Sequence, residues 1–365
     1  MKVSDLNAVV KLASKISNQS SLTSLYRSVE ISKELLRCCS EFGNIEIAVP
    51  DTGLTSPILI DAAAIQAVTN SLPAGADITL TPTEGKVSWK CGTAQGTLNL
   101  VFSEHTIPQL DHASFPWTPS EDLANALILA SSACQAAAVS VGLYGIVLEP
   151  VNDKLRLLST NAVALASVTI DKGTFPELGD FFFDPTSETK KLTLRPPVPG
   201  VLATFISTCP NCTLDVTADG IFIQGDWLRA HLPVSVKLEH DLKKIADEYT
   251  GSAQVAAINN AAVKLFITRA RALADKNAFF TVGVKLEAGK LILSHNSIAS
   301  SSEQWFLAEG IDEKLNYESV NIPADMLLVS LPHVKNAIFD YLSQSKLILE
   351  GTEPSFRYVV SGGDN

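Results

Sequence analysis

The sequence predicts an α+β protein built from three repeated units, each holding two helices on antiparallel strands. Three observations carry this. An extended run, a helical run and a hairpin recur in that order three times along the 365 residues. The strand-like runs alternate and are broken by turn residues at close spacing. The long crossovers that parallel strands require are missing.

Each unit opens on a helix, spanning Ser4 to Ser17, Ser120 to Val139 and Asn259 to Lys276. A strand pair follows: from Leu25, from Tyr144 with a turn at Asn152-Asp153, and from Phe279 with a turn at Ala288-Gly289. Then comes the recurring order. In the first unit it is Pro57 to Ile60, a helix from Asp61 to Leu72 and a two-stranded hairpin from Asp77 to Val101. In the second it is Lys191 to Leu194, Pro199 to Thr208 and Cys212 to Val234. In the third it is Ser319 to Ile322, Pro323 to Ser343 and Lys346 to Ser361. Hairpin turns fall at Glu84-Gly85, Asp219-Gly220 and Gly351 to Pro354, and Ile78, Leu214 and Leu347 take matching positions. Domains of 1–115, 116–250 and 251–365 follow, the first being the least regular match. On the first helix of the third unit, Ala262, Phe266, Arg269 and Leu273 form the stripe expected against the sheet. Lys264, Arg271 and Asp275 then face away.

Composition narrows the function. Apolar residues make up 46% and charged residues 18%, which describes a folded chain. Met1 to Asp5 leads into an amphipathic pattern rather than the apolar run of a signal peptide, so a cytoplasmic location is expected. The cysteines Cys38, Cys39, Cys91, Cys134, Cys209 and Cys212 are accordingly expected as free thiols. Leu123 to Leu148 carries no charge, yet Asn125, Ser131, Ser132, Gln135 and Ser140 interrupt it and no Lys or Arg anchors its ends. A buried helix running into a buried strand is expected there, and no membrane span.

Two motifs suggest chemistry and are set aside. Asp51-Thr52-Gly53 matches the aspartic-protease triplet, but that reaction needs two carboxylates sharing a proton, and such triplets arise by chance. Cys209-Pro210-Asn211-Cys212 has the spacing of a metal or redox pair. No second pair and no histidine stand at a matching distance, and the segment reads as the loop between helix and hairpin. No phosphate-cradling loop, nucleophile elbow or His-Glu-x-x-His pair occurs. The expectation is a non-enzyme with no metal and no cofactor.

One stretch of the second unit carries a family likeness. Leu143-Tyr144-Gly145-Ile146-Val147-Leu148-Glu149, followed by Leu155-Arg156-Leu157-Leu158-Ser159-Thr160-Asn161, resembles the bacterial sliding clamp, the beta subunit of DNA polymerase III. Domain order and length extend the resemblance over essentially the whole chain. The family's Thr-Asp-Gly-His-Arg-Leu run reads Thr160-Asn161-Ala162-Val163-Ala164-Leu165 here, so a virus-encoded or specialised clamp fits as well as a chromosomal one. The resemblance implies a head-to-tail homodimer whose six domains form a ring, each chain half of it, with helices lining the hole. Helices roughly 10 Å wide make that arrangement physical: six give a bore of roughly 9 Å, and twelve give about 28 Å, wide enough for a duplex roughly 20 Å across. In the family, polymerase and clamp-loader peptides insert apolar side chains between the second and third domains. The positions that match are Leu143, Thr160, Leu165, Tyr358, Val359 and Val360, although the tail Ser361 to Asn365 is polar where the family is apolar.

Charge is the difficulty. A net charge of -11 opposes binding to duplex DNA unless positive residues gather on one face. The candidates on expected lining helices are Lys11 and Lys15 in the first unit, and Lys264, Arg269, Arg271, Lys276 and Lys335 in the third. The helix from Ser120 to Val139 has none. A clamp-like scaffold that binds proteins without encircling DNA is the alternative that this favours.

Overall fold

The computed structural model describes residues 1–110, 117–134, 145–160, 164–171, 173–174, 192–217, 220–234, 242, 253–257, 259–273, 280–296, 301–307, 317–330, 332–340, 346–352 and 355–361. These residues build one motif three times. The first copy runs α1 (Val3–Ala13), β1 (Ser28–Ile31), β2 (Leu35–Ser40), β3 (Gly43–Ala48), β4 (Ile58–Asp61), α2 (Ala62–Ser71), β5 (Thr79–Thr83), β6 (Lys86–Cys91) and β7 (Ala94–Asn99). The second runs α3 (Leu123–Ser132), β8 (Ile146–Val151), β9 (Lys154–Thr160), β10 (Ala164–Asp171), β11 (Leu192–Leu194), α4 (Val198–Thr208), β12 (Thr213–Val216), β13 (Gly220–Gln224) and β14 (Leu228–Pro233). The third begins with an added strand, β15 (Ala253–Ala257), then α5 (Asn260–Leu273), β16 (Thr281–Glu287), β17 (Lys290–Asn296), β18 (Ser301–Leu307) and β19 (Tyr317–Pro323). It closes with α6 (Ala324–Ser330), β20 (Val334–Asp340), β21 (Lys346–Thr352) and β22 (Ser355–Ser361).

Strand order proves the repeat more firmly than sequence does. The four strands between the two helices of each copy are arranged β3-β2-β1-β4, β10-β9-β8-β11 and β18-β17-β16-β19, the same permutation each time. The last three strands of each copy form a meander. The residues before each first helix pair with the first meander strand: Lys2 with Asp77, Trp117 with Leu214, and β15 with β20. All named strand pairs are antiparallel, as the α+β reading expects.

Two details differ from the sequence reading. Each copy ends in three strands, not a two-stranded hairpin. In the third copy, the helix expected from Pro323 to Ser343 stops at Ser330, and Val334–Asp340 is a strand. Pro332 is the cause, since it has no N–H to donate and disfavours helical backbone in the residue before it. Leu347 therefore lies one strand later than Ile78 and Leu214, and the three positions are not equivalent.

By contacts the chain packs as two compact units. One holds Met1–Pro119, Gly173–Pro185 and Val201–Val234; the other holds Ser120–Lys172, Thr186–Gly200 and Ser235–Asn365. This division cuts across the repeats because successive copies share sheets. In the first unit β14 pairs with β3, so the second meander extends the first four-stranded half into a seven-stranded sheet. In the second unit β22 pairs with β10, giving an eight-stranded sheet by the same join. The first join needs Gly43, whose φ is 132° and where a Cβ would lie 2.2 Å from the His231 carbonyl oxygen.

Local chemistry sets the elements. Asp61 caps α2 by accepting from the Ala64 N–H at 3.0 Å, and Asn259 caps α5 through the Ala262 N–H at 3.1 Å. The β8–β9 and β16–β17 turns place Asn152, Ala288 and Gly289 at positive φ, the backbone that tight hairpins demand. In the first unit α1 and α2 lie side by side, with Asn7 Oδ1 and Thr69 Oγ1 3.0 Å apart between them. Leu6, Val10, Ala13 and Ile65 are buried beneath the pair.

Candidate functional site

In the second unit, the face of the eight-stranded sheet turned away from α3 carries an apolar row. Thr160 stands opposite Leu165, Leu165 opposite Val359, and Val359 opposite Ile348. Val147, Leu158 and Leu242 complete a buried cluster with Leu165, Ile348 and Val359. The Thr160 hydroxyl donates to the Ala164 carbonyl at 2.8 Å, which stills the strand end beside Leu165.

Strand alternation sends the neighbouring residues the other way. Tyr358 and Val360 are fully buried on the α3 side. The Tyr358 hydroxyl donates to the Leu129 carbonyl at 2.5 Å and lies 2.9 Å from Ser132 Oγ. Burial, partly countered by Ser132, pushes its pKa above the ordinary phenol value. Tyr358 ties the sheet to α3. Of the positions expected to line a client pocket, Leu165 and Val359 share an outer cluster, Thr160 flanks them, and Tyr358 and Val360 face inward. Leu143 lies outside the described residues, as do 362–365.

The basic candidates fall on two helices. Lys11 is exposed on α1 and Lys15 in the turn just after it, and Lys264, Arg269 and Arg271 are exposed on α5. The buried stripe of α5 is Val263, Phe266, Ile267 and Ala270, so Arg269 faces solvent rather than the sheet as the sequence suggested. Phe266 keeps its expected place, and the stripe turns about it because Val263 and Ile267 offer more apolar surface than Ala262 and Arg269. Arg271 pairs with Asp325 on α6 and stands 5.7 Å from the Phe280 ring centroid, so much of its charge is committed. Lys335, expected on a helix, lies in β20. Lys276 is outside the described residues. The segments forming α2, α3, α4 and α6 contain no Lys, Arg or His.

No family model matches the chain, and no curated protein matches it in sequence. Solved structures do match along its whole length. A beta sliding clamp from Caulobacter crescentus aligns at TM-score 0.75 and 12% identity, covering 100% of this chain and 98% of that one. The DNA polymerase III subunit beta from Pseudomonas aeruginosa gives 0.68 and 15%, covering 100% and 99%. A Helicobacter pylori beta clamp bound to a DNA ligase peptide gives 0.72 and 12%, also covering 100% and 99%. The chain has the sliding-clamp fold.

Within that fold the motifs that suggested chemistry have structural duties. Asp51 Oδ1 accepts from the Gly53 N–H at 2.8 Å and closes its own turn, while Thr52 is buried and donates to the Ser32 carbonyl at 2.9 Å. Cys209 and Cys212 are buried free thiols in a turn closed by the Cys212 N–H on the Cys209 carbonyl at 3.0 Å. Burial, with Cys209 adding to it, pushes the Cys212 thiol up to about 11, far from a reactive thiolate at neutral pH. Among the described residues no group of three or more His, Cys, Asp or Glu side chains could hold a metal ion. No helix among them is long and apolar enough to cross a membrane.

Sequence reasoning missed Val147, Leu158, Ile348 and Leu242 in the apolar cluster. The signal existed for three of them. Val147 shares a strand face with Glu149, Leu158 with Arg156, and Ile348 with Glu350, and a charged residue two positions away marks the outward face of each strand.

Proposed function

We propose that the chain is a DNA sliding clamp: a head-to-tail homodimer that closes around duplex DNA and holds a replicative polymerase on its template. One observation carries this reading. Among the described residues, each chain has three four-stranded halves and three meanders, but only two joins between them, at β3–β14 and β10–β22. One meander, β5-β6-β7, and one half, β18-β17-β16-β19, are left as separate sheets. The strands used in the two internal joins are the third strand of the half and the last strand of the meander. Their counterparts among the leftovers are β18 and β7, each outermost in its sheet. A second copy can supply both missing partners, and two heterologous joins close the pair if each chain turns through half a circle. Such pairing also covers edges that would otherwise recruit other strands. Phe102, just beyond β7, is 79% exposed in the single chain and suits burial at such a join.

The six α-helices described per chain give twelve per dimer, which supports a bore wide enough for a duplex. Lys11, Lys15, Lys264, Arg269, Arg271 and Lys276 supply sequence-independent attraction to phosphate, suited to sliding because no base is read. Lys335, in a strand, contributes less. Client peptides of the polymerase and the clamp loader dock on the outer apolar row, with Leu165, Val359, Thr160 and Leu143 as its contact residues; Tyr358 and Val360 support it from beneath. A cytoplasmic site of action fits this role. The clamp acts by topology and has no active site.

Sedimentation combined with retention on nicked circular against linearised plasmid tests the reading. A dimer that stays on circles and runs off linear DNA is expected. A monomer at micromolar concentration, or equal loss from both forms, refutes it. A scaffold that binds proteins without DNA is favoured by one observation, the lack of any basic residue on α3 and α4, and it predicts equal loss.

A further inference from the structure

The outer face of the first join holds a cavity to which the clamp reading gives no role. It measures about 560 Å³, within the range of ligand sites, and every residue lining it belongs to the first unit. Leu35, Ala48 and Trp227 give it an apolar side: Leu35 stands opposite Ala48, and the Ala48 N–H bonds the Trp227 carbonyl at 2.8 Å. Two residues along the strands, about 7 Å away, runs the polar row of Arg37, Glu46 and Arg229.

The hydrogen-bonding capacity around this cavity is lopsided. The acceptors of the row are engaged. Glu46 Oε2 lies 3.4 Å from Arg229 Nη1, Glu46 Oε1 lies 3.5 Å from the Leu110 nitrogen, and Gln224 Oε1 accepts from Arg229 Nε at 3.1 Å. Arg229 spends its remaining Nη2 on the Leu110 carbonyl at 3.0 Å. Two donors are unspent. Arg37 gives Nε and Nη2 to Glu30, while its Nη1 and the Trp227 indole N–H bond no described residue. The cations also stand nearer to solvent than the anions that neutralise them. Side-chain exposure is 34% for Arg229 against 9% for Glu46, and 25% for Arg37 against 19% for Glu30. An entering ligand therefore meets unsatisfied N–H groups and positive charge above buried carboxylates, which calls for an anionic acceptor. Asp226 is the exception, an exposed carboxylate among the lining residues. With Glu30 and Glu46 it opposes a polyanion, so one isolated carboxylate beside an apolar group fits better than a nucleic-acid backbone.

We infer that this cavity is a docking site for a peptide segment of a partner protein, in which an aromatic or aliphatic side chain neighbours a single carboxylate. The apolar side chain rests on Leu35, Ala48 and Trp227. The carboxylate takes the unspent nitrogen of Arg37, and the Trp227 N–H is left for a backbone carbonyl of the peptide. The volume accommodates two side chains with the backbone that links them. Because the site is complete within one unit of one chain, it needs no ring and stands apart from the apolar row around Leu165.

The test titrates the full chain with two blocked dipeptides, N-acetyl-para-fluorophenylalanyl-aspartyl amide and its asparaginyl analogue, followed by fluorine NMR. The aspartyl probe is expected to bind about fivefold more tightly, the gain from one charge-assisted pair. Arg37→Lys can pair with Glu30 but cannot serve two acceptors from one planar fork, and it should erase that preference. Trp227→Leu should weaken both probes several-fold, and Asp226→Asn should strengthen the aspartyl one. Urea unfolding confirms that each variant is folded. Equal affinity for the two probes, binding of neither, or an aspartyl preference that survives Arg37→Lys overturns the inference. So does tighter binding of N-acetylaspartyl amide or of oligothymidylate, which would assign the cavity to a small acid or to nucleic acid.

Discussion

The two composite sheets are joined by the same backbone logic, and each carries a Glu–Arg pair between its first two strands, Glu30–Arg37 and Glu149–Arg156, but the joins themselves are finished with different chemistry. In the first unit the row crossing the join on the outer face is charged: Glu30 opposite Arg37, Arg37 opposite Glu46, Glu46 opposite Arg229, and Arg229 opposite Gln224. Arg229 bonds the Leu110 carbonyl at 3.0 Å and Gln224 Oε1 at 3.1 Å, and lies 3.4 Å from Glu46. In the second unit the corresponding join places Leu165 against Val359 with Leu158, Ile348 and Leu242 around them. Strand pairing and the inner face therefore suffice to make the join. The outer face is free to specialise: both units keep ion pairs and an apolar cluster on it, but the first sets a charged row across its join and the second sets Leu165, Val359 and Ile348 there.

That contrast can be broken from either side. The largest effect is expected from Leu158→Ala, which opens a cavity beneath the apolar row. Leu158 is 1% exposed, and the loss should be about 2–5 kcal/mol by urea unfolding. Glu46→Gln should cost less, about 1–3 kcal/mol, since Arg229 keeps two acceptors while losing its ionic partner. If the second loss exceeds the first, the outer face of the second unit is not a packed surface and the comparison fails. The smallest effect concerns pH. Burial pushes Cys39 in the first unit and Cys134 in the second from the ordinary 9.0 up to about 11. The unfolded chain loses these protons first, so their contribution is whole below about pH 9 and is lost as pH rises through 11. Iodoacetamide at pH 8 should leave both thiols unlabelled in the native protein; rapid labelling of one alone would show that its unit opens locally.

The repeat was legible because turns and helix starts are local. Asn152-Asp153 and Ala288-Gly289 read as turns, and the helices beginning near Ser4, Asp61 and Asn259 form within a few residues of their expected starts. What escaped was long-range or competing. Nothing near Glu46 signals that Arg229 will stand opposite it, because a sheet join between distant segments leaves no local period. Val334 to Asp340 lies within a run expected to be helical from Pro323 to Ser343, and Pro332 ends that helix early. The Arg269 stripe failed for a related reason: two helical phases one residue apart both look amphipathic, and burial of Val263 and Ile267 decides between them. The apolar row was half legible, since the sequence singled out Leu165 and Val359 while their neighbours needed the register.

The two surplus half-sheets are unlike, and inheritance of a damaged copy follows from that. In the proposed ring, a chain whose β7 edge is blocked would still offer an intact β18, so it would mate with a sound chain through one seam and leave the other permanently ajar. Such a mixed pair would consume a working protomer without closing, and a defect in one copy of the gene would then poison the product of the other.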